Sequence, residues 1–122
     1  MSNACNWFEI PVVDFDRSVR FYSTILDTEL HTEIFYGAAN AFLPFAEGSV
    51  GGTLSQDPKR QPAKIGTIIY LNANGKLDEI LSRIEPAGGT VVLPKTSIGP
   101  AGFIATFVDS EGNLVGLHSE VN

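Results

Sequence analysis

Ile10-Pro11-Val12-Val13-Asp14-Phe15-Asp16-Arg17-Ser18-Val19-Arg20-Phe21-Tyr22 joins a strand to a helix, and its reading decides how the rest of the chain divides. Upstream, Phe8, Ile10 and Val12 alternate on one face, which is strand spacing. Asp14 then offers a helix N-cap, since a carboxylate accepts the free N–H groups of a first turn. Phe15, Val19, Tyr22 and Leu26 follow at steps of four, three and four, the spacing of one helix face. Asp27-Thr28 breaks that pattern. Three strand-like runs come next: 29–36, 41–45 and 50–55. Gly37 and Asn40, then Glu47-Gly48, mark the turns between them.

The same order of elements recurs further on. A β-branched run, Ile65 to Leu71, leads to Asn74 as the second cap, and Leu77, Ile80, Leu81 and Ile84 form a second apolar stripe. Pro86 and Gly88-Gly89 stop this helix, because proline cannot donate and glycine tolerates positive φ. Strands are expected over 90–94, 103–108 and 114–119. The loop 97–102 reads equally as a lid or as a fixed turn. Between the halves lies Gln56-Asp57-Pro58-Lys59-Arg60-Gln61-Pro62-Ala63-Lys64, polar and without apolar periodicity, which reads as a linker. The chain is therefore expected to be one domain of class α+β. Two tandem βαβββ modules, about 6–55 and 65–119 with linker 56–64, would form a curved mixed sheet with a concave cleft. Such a hollow is where a small molecule would sit.

Composition narrows the function classes. A chain of 122 residues with 43% hydrophobic residues can bury a core without staples. Its charge of −6 argues against nucleic acid or an anionic membrane as partner, since both reward clustered Lys and Arg. The single cysteine, Cys5, excludes an intrachain disulfide and has no basic neighbour in sequence to activate it. No apolar run approaches the ~20 residues of a spanning helix, and Met1 to Asn6 shows no leader pattern. A cytoplasmic protein is expected.

Strand alternation singles out candidate site residues. Trp7, Glu9 and Pro11 share the face opposite Phe8, Ile10 and Val12. If the helix covers the latter face, Glu9 looks into the hollow. Leu114, Gly116 and His118 likewise share a side. Side-by-side packing of the first strands would bring Glu9 and His118 into one pocket, where a carboxylate near an imidazole makes a general base, a relay or a ligand anchor. Against this, Glu9 can simply meet solvent and His118 can sit at a fraying end. His31 reads as a surface histidine.

With both halves laid out, the chain resembles the vicinal oxygen chelate superfamily of glyoxalase I, bleomycin-resistance proteins and extradiol dioxygenases. The carrying segments are 10–22, similar to the family's opening strand and D-x-x-R-[AS]-x-x-F-Y helix, and 107–117, similar to its closing F-x-D-P-x-G-N hairpin with Ser110 where proline is common. The resemblance implies a homodimer and a small-molecule ligand. Metal-dependent members carry His, Glu or Gln at four positions that fall here on Trp7, about Thr53, Thr67 and Gly116. None is a good ligand for a divalent ion, so no cofactor is expected and a divalent metal is disfavoured. Trp7, at one of these positions, is the best single candidate for a pocket aromatic, with Gly116 across from it leaving room. The expected cleft is lined by Trp7, Glu9, Thr53, Thr67, Gly116 and His118. A metal-independent binding protein is the favoured reading. A glyoxalase-like lyase with a displaced site including Glu9 and His118 is the alternative, and an assembly domain without a ligand is the third.

Overall fold

Asp14 accepts the Arg17 amide N–H at 3.1 Å and so starts α1 (Phe15–Leu26), in a computed structural model that describes residues 3–122. Met1 and Ser2, which open the stretch read for a leader, lie outside the described residues. The helix ends at Asp27, whose left-handed backbone (φ 52°) lets its N–H reach the Ser23 and Thr24 carbonyls. Its buried face carries Ser18, Phe21, Tyr22 and Ile25. The stripe Phe15, Val19, Tyr22, Leu26 is thus corrected by a rotation: only Tyr22 of those four is fully buried, and the others pack at the core's margin.

The first sheet contains β1 (Trp7–Pro11), β2 (His31–Phe35), β3 (Ala38–Phe42) and β4 (Gly51–Gln56), in the order β1-β4-β3-β2 with β1 parallel to β4. The second contains β5 (Tyr70–Asn72), β6 (Thr90–Ser97), β7 (Phe103–Val108) and β8 (Leu114–Ser119), in the order β5-β8-β7-β6 with β5 parallel to β8. The helix α2 (Leu77–Ile84) follows β5 as α1 follows β1. The architecture is α+β, two helices with two four-stranded mixed sheets, and each half runs β-α-β-β-β.

Three local expectations are corrected. The β2–β3 turn is Tyr36-Gly37, with φ of 50° and 80°, the paired positive φ values of a tight hairpin turn. Asn40 is therefore not a turn residue but a buried member of β3. Asn74 does not cap α2. Its side-chain oxygen accepts the Glu120 N–H at 2.7 Å instead, and Lys76 occupies the cap position without a side-chain bond. The strand expected over 65–71 shrinks to Tyr70–Asn72. Its cause is visible in the hydrogen bonds: Leu114 N–H goes to the Ala63 carbonyl and Gly116 N–H to the Ile69 carbonyl. Two acceptors six residues apart thus serve donors two apart, so the intervening segment loops out, with Gly66 at φ 98°.

One core runs through both halves. Ile10, Ala41 and Leu54 of the first sheet meet Phe21, Tyr22 and Ile25 of α1, and Leu71, Ala105, Phe107 and Leu117 of the second sheet meet Ile80 and Ile84 of α2. Phe21 joins the halves, with its ring centroid 5.0 Å from Tyr22 and 6.0 Å from Phe107.

Candidate functional site

Ile10, Leu54 and Ala41 turn toward the helices, so the alternate residues of β1, β4 and β3 face away from the core. Strand register arranges these outward residues in rows. Glu9, Thr53, Phe42 and His31 form one row across the sheet, and Pro11, Ser55, Asn40 and Glu33 form the next. Aromatic rings stand in a chain across these rows: Phe35 to Phe42 at 6.0 Å, Phe42 to Trp7 at 6.0 Å, and Trp7 to Phe45 at 5.9 Å, each pair edge-to-face. Gly51 permits this, since a Cβ there would collide with the Phe45 ring. In the middle lie three buried polar side chains, Asn40, Thr53 and Ser55.

Trp7, Phe35, Phe42 and the three polar side chains line a cleft of about 720 Å³ together with Glu9, Tyr36, Gly37 and the segment Gln56 to Arg60. That segment is a turn: Asp57 accepts the Lys59 N–H on its side chain and the Arg60 N–H on its carbonyl, both at 3.0 Å. It sets Arg60 Nη1 at 3.5 Å from Glu9 and 3.4 Å from Asp57. All three side chains are partly solvated, so these long contacts place charge at the rim without locking it. On the floor, the Asn40 amide nitrogen donates to the Ala38 carbonyl at 3.1 Å. Thr53 Oγ1 is the one buried side-chain N or O atom, among the described residues, with no hydrogen-bond partner.

Trp7, Glu9 and Thr53 thus share a cleft, whereas the remaining expected lining residues lie elsewhere. Thr67 sits in the looped-out segment and lines a separate hollow of about 310 Å³, which Glu9 also borders. His118 lines a third, of about 250 Å³, with Asn72 and Glu120. Its Nε2 donates to the Ala101 carbonyl at 2.7 Å, which ties the 97–102 loop down as a turn. Glu9 and His118 therefore share no cleft. Gly116 leaves no open space: the Tyr70 ring lies where its Cβ would be, because Tyr70 and Gly116 are register partners in parallel strands. His31 is exposed, 2.9 Å from Glu33, with its ring beside Phe42. Phe42 is one of the strand aromatics, with Phe35, Phe45 and Phe103, from which the sequence leads one to expect a pocket wall; Asn40, Ser55 and Arg60 were not singled out as site residues. Alternation through Ala38-Ala39-Asn40-Ala41-Phe42 carries the signal for Asn40 once the hairpin turn is placed at Tyr36-Gly37.

The two sequence stretches similar to the vicinal oxygen chelate family touch each other. Glu111 Oε1 accepts the Val13 and Asp14 N–H groups at 2.9 and 2.6 Å, and Oε2 accepts Arg17 Nε at 2.7 Å. Burial pushes the Glu111 carboxyl up, but bonds from Arg17, the Asp14 N–H, Ser110 and the Val13 N–H outweigh it and leave it below its ordinary value. Tyr22 donates to Asp109 Oδ2 at 2.7 Å. Burial, then the neighbouring Asp109 carboxylate, pushes the Tyr22 hydroxyl well above its ordinary value. Asn113 Nδ2 reaches the Pro11 carbonyl at 2.8 Å. This cluster fastens one half to the other.

The metal positions implied by the resemblance hold an indole, two hydroxyls and a glycine. Among the described residues no three His, Cys, Asp or Glu side chains gather where they could hold an ion. A divalent metal wants imidazole, carboxylate or thiolate donors, about three of them from protein. The donor set does not fit such an ion. No helix among the described residues is long and apolar enough to cross a membrane.

Comparison with known proteins agrees with this fold. Solved structures similar to the chain include a glyoxalase/bleomycin resistance protein from Albidiferax ferrireducens T118, at 16% identity and TM-score 0.71 over 96% of this chain and 99% of that one. A glyoxylase/bleomycin resistance protein/dioxygenase domain from Frankia sp. EAN1pec matches at 20% identity and TM-score 0.67, covering 98% and 97%. A genomically encoded fosfomycin resistance protein from Listeria monocytogenes matches at 16% identity and TM-score 0.66, covering 98% and 92%. At these identities the likeness is one of fold. No curated protein matches the sequence. The profile of the Glyoxalase/Bleomycin resistance protein/Dioxygenase superfamily matches residues 4–117, and the chain belongs to that superfamily.

Proposed function

We propose that the chain binds a small organic molecule on the open face of the first sheet, without a resident metal ion. The observation that carries this reading is the joining of an aromatic wall to a buried polar floor in one cleft of about 720 Å³. Clefts of this size take drug-sized ligands, with rings supplying contact area and a few polar groups supplying orientation. Absence of a fitting donor set supports metal independence. A glyoxalase-like lyase using Glu9 and His118 gains no support, since the two line different hollows and the His118 Nε2 is engaged by Ala101.

A homodimer belongs to the same reading. The edge strand β2 is exposed along its whole length, and Ile34 and Tyr36 stand out from it into solvent. Sheet edges of this kind are usually covered.

Thermal melting with zinc, nickel or magnesium chloride alone, and with 2-naphthol or S-benzylglutathione, tests the proposal. A ligand of the folded state raises the melting temperature by mass action. An organic compound is expected to do so in the presence of EDTA. A rise with metal alone, together with stoichiometric metal in protein purified without chelator, would overturn the reading.

A further inference from the structure

Thr53 occupies the centre of the cleft floor, between Glu9 on β1 and Phe42 on β3 in the same cross-strand row. Its side chain is only 2% exposed, and its hydroxyl has no partner among the described residues. Buried hydroxyls are almost always hydrogen-bonded, so an orphan at a cleft points to a partner the protein alone does not supply. Its neighbours point the same way. Ser55 lies two residues along the strand on the same face, and the Asn40 amide spends its nitrogen on Ala38. Polar capacity is thus concentrated on the floor, directly beside the rings of Trp7 and Phe42.

Resting on the cleft reading above, we infer that Thr53 is a specificity-determining residue for a planar aromatic ligand carrying a hydrogen-bonding group on one edge. The ring of that ligand packs among Trp7, Phe42 and Phe35, and its polar edge engages the Thr53 hydroxyl. The isosteric change Thr53→Val then has opposite effects on the two states. It removes an unsatisfied polar atom from the free protein and removes a hydrogen bond from the complex. A hydroxyl that serves only folding would lower stability when lost and leave the discrimination between ligands unchanged.

The test uses the single tryptophan as reporter, because its indole N–H gives one NMR cross-peak. The peak is followed through titrations with 2-naphthol and with 2-methylnaphthalene, which differ by a hydroxyl in place of a methyl. The wild type is expected to bind 2-naphthol about tenfold tighter, the value of one good hydrogen bond. Thr53→Val is expected to bind both alike and to melt no lower than the wild type. Thr53→Ser, which keeps the hydroxyl, retains the discrimination and serves as the control if the valine variant folds poorly. Equal binding of both probes by the wild type would overturn the role of Thr53 while leaving the cleft intact. No shift with either probe would overturn the cleft reading itself, and this inference with it.

Discussion

Glu111 is the residue on which the joint between the halves turns. Its side chain has no exposed surface, and it accepts two backbone N–H groups and the Arg17 guanidinium. Hydrogen bonds to a charged group are worth about 1.5–3 kcal/mol. Glu111→Gln should therefore lower stability at neutral pH by about 2 kcal/mol, read as a shift in urea midpoint. The sign of the pH dependence follows from its depressed pKa. The folded state holds Glu111 ionised below its ordinary value of 4.5, so this contribution is complete above that value and is lost as pH falls through the lower, folded one. The gap between wild type and Glu111→Gln should close in acid. A gap that stays constant from neutral pH into the acid range would show that the carboxylate charge carries none of it.

At the scale of elements, α1 depends on its cap. Asp14→Ala removes the acceptor for the Arg17 N–H and should cost about 1 kcal/mol, whereas Asp14→Asn should be nearly neutral; denaturant midpoints of the two variants decide this. Asp14 was legible because a cap followed by an apolar stripe is a local pattern. Strands β7 and β8 were legible within the same bounds for a similar reason, since each is a short, mostly apolar run flanking the turn residues Asp109 to Asn113. Three elements were not. The face of α1 that becomes buried is chosen by Phe107 and the second half, which no local periodicity records. The shortening of β5 depends on where Leu114 and Gly116 find acceptors, a long-range matter. The β2–β3 turn falls on Tyr36-Gly37, and a tyrosine with positive φ is a poor sequence signal for a turn.

For the whole molecule, the repeat of β-α-β-β-β could be read from pattern, but the way its halves meet could not. Alternation put Trp7 and Glu9 on one face, and the family resemblance supplied Thr53. Together they also suggested Gly116 and His118 as neighbours, because nothing in the sequence says that the Tyr70 ring covers Gly116 or that Ala101 holds His118. The uncovered edge of β2 bears on assembly. Light scattering at micromolar concentration is expected to give twice the chain mass, reduced toward one by Ile34→Lys on the exposed edge; a monomeric wild type would refute the dimer.

The central claim is a ligand cleft on the first sheet that works without a bound cation. Its most direct measurement is the Trp7 indole resonance of chelator-treated protein, titrated with 2-naphthol in EDTA. A saturable shift matching that of untreated protein is predicted. A shift that vanishes on chelation and returns with added zinc or nickel would contradict the account.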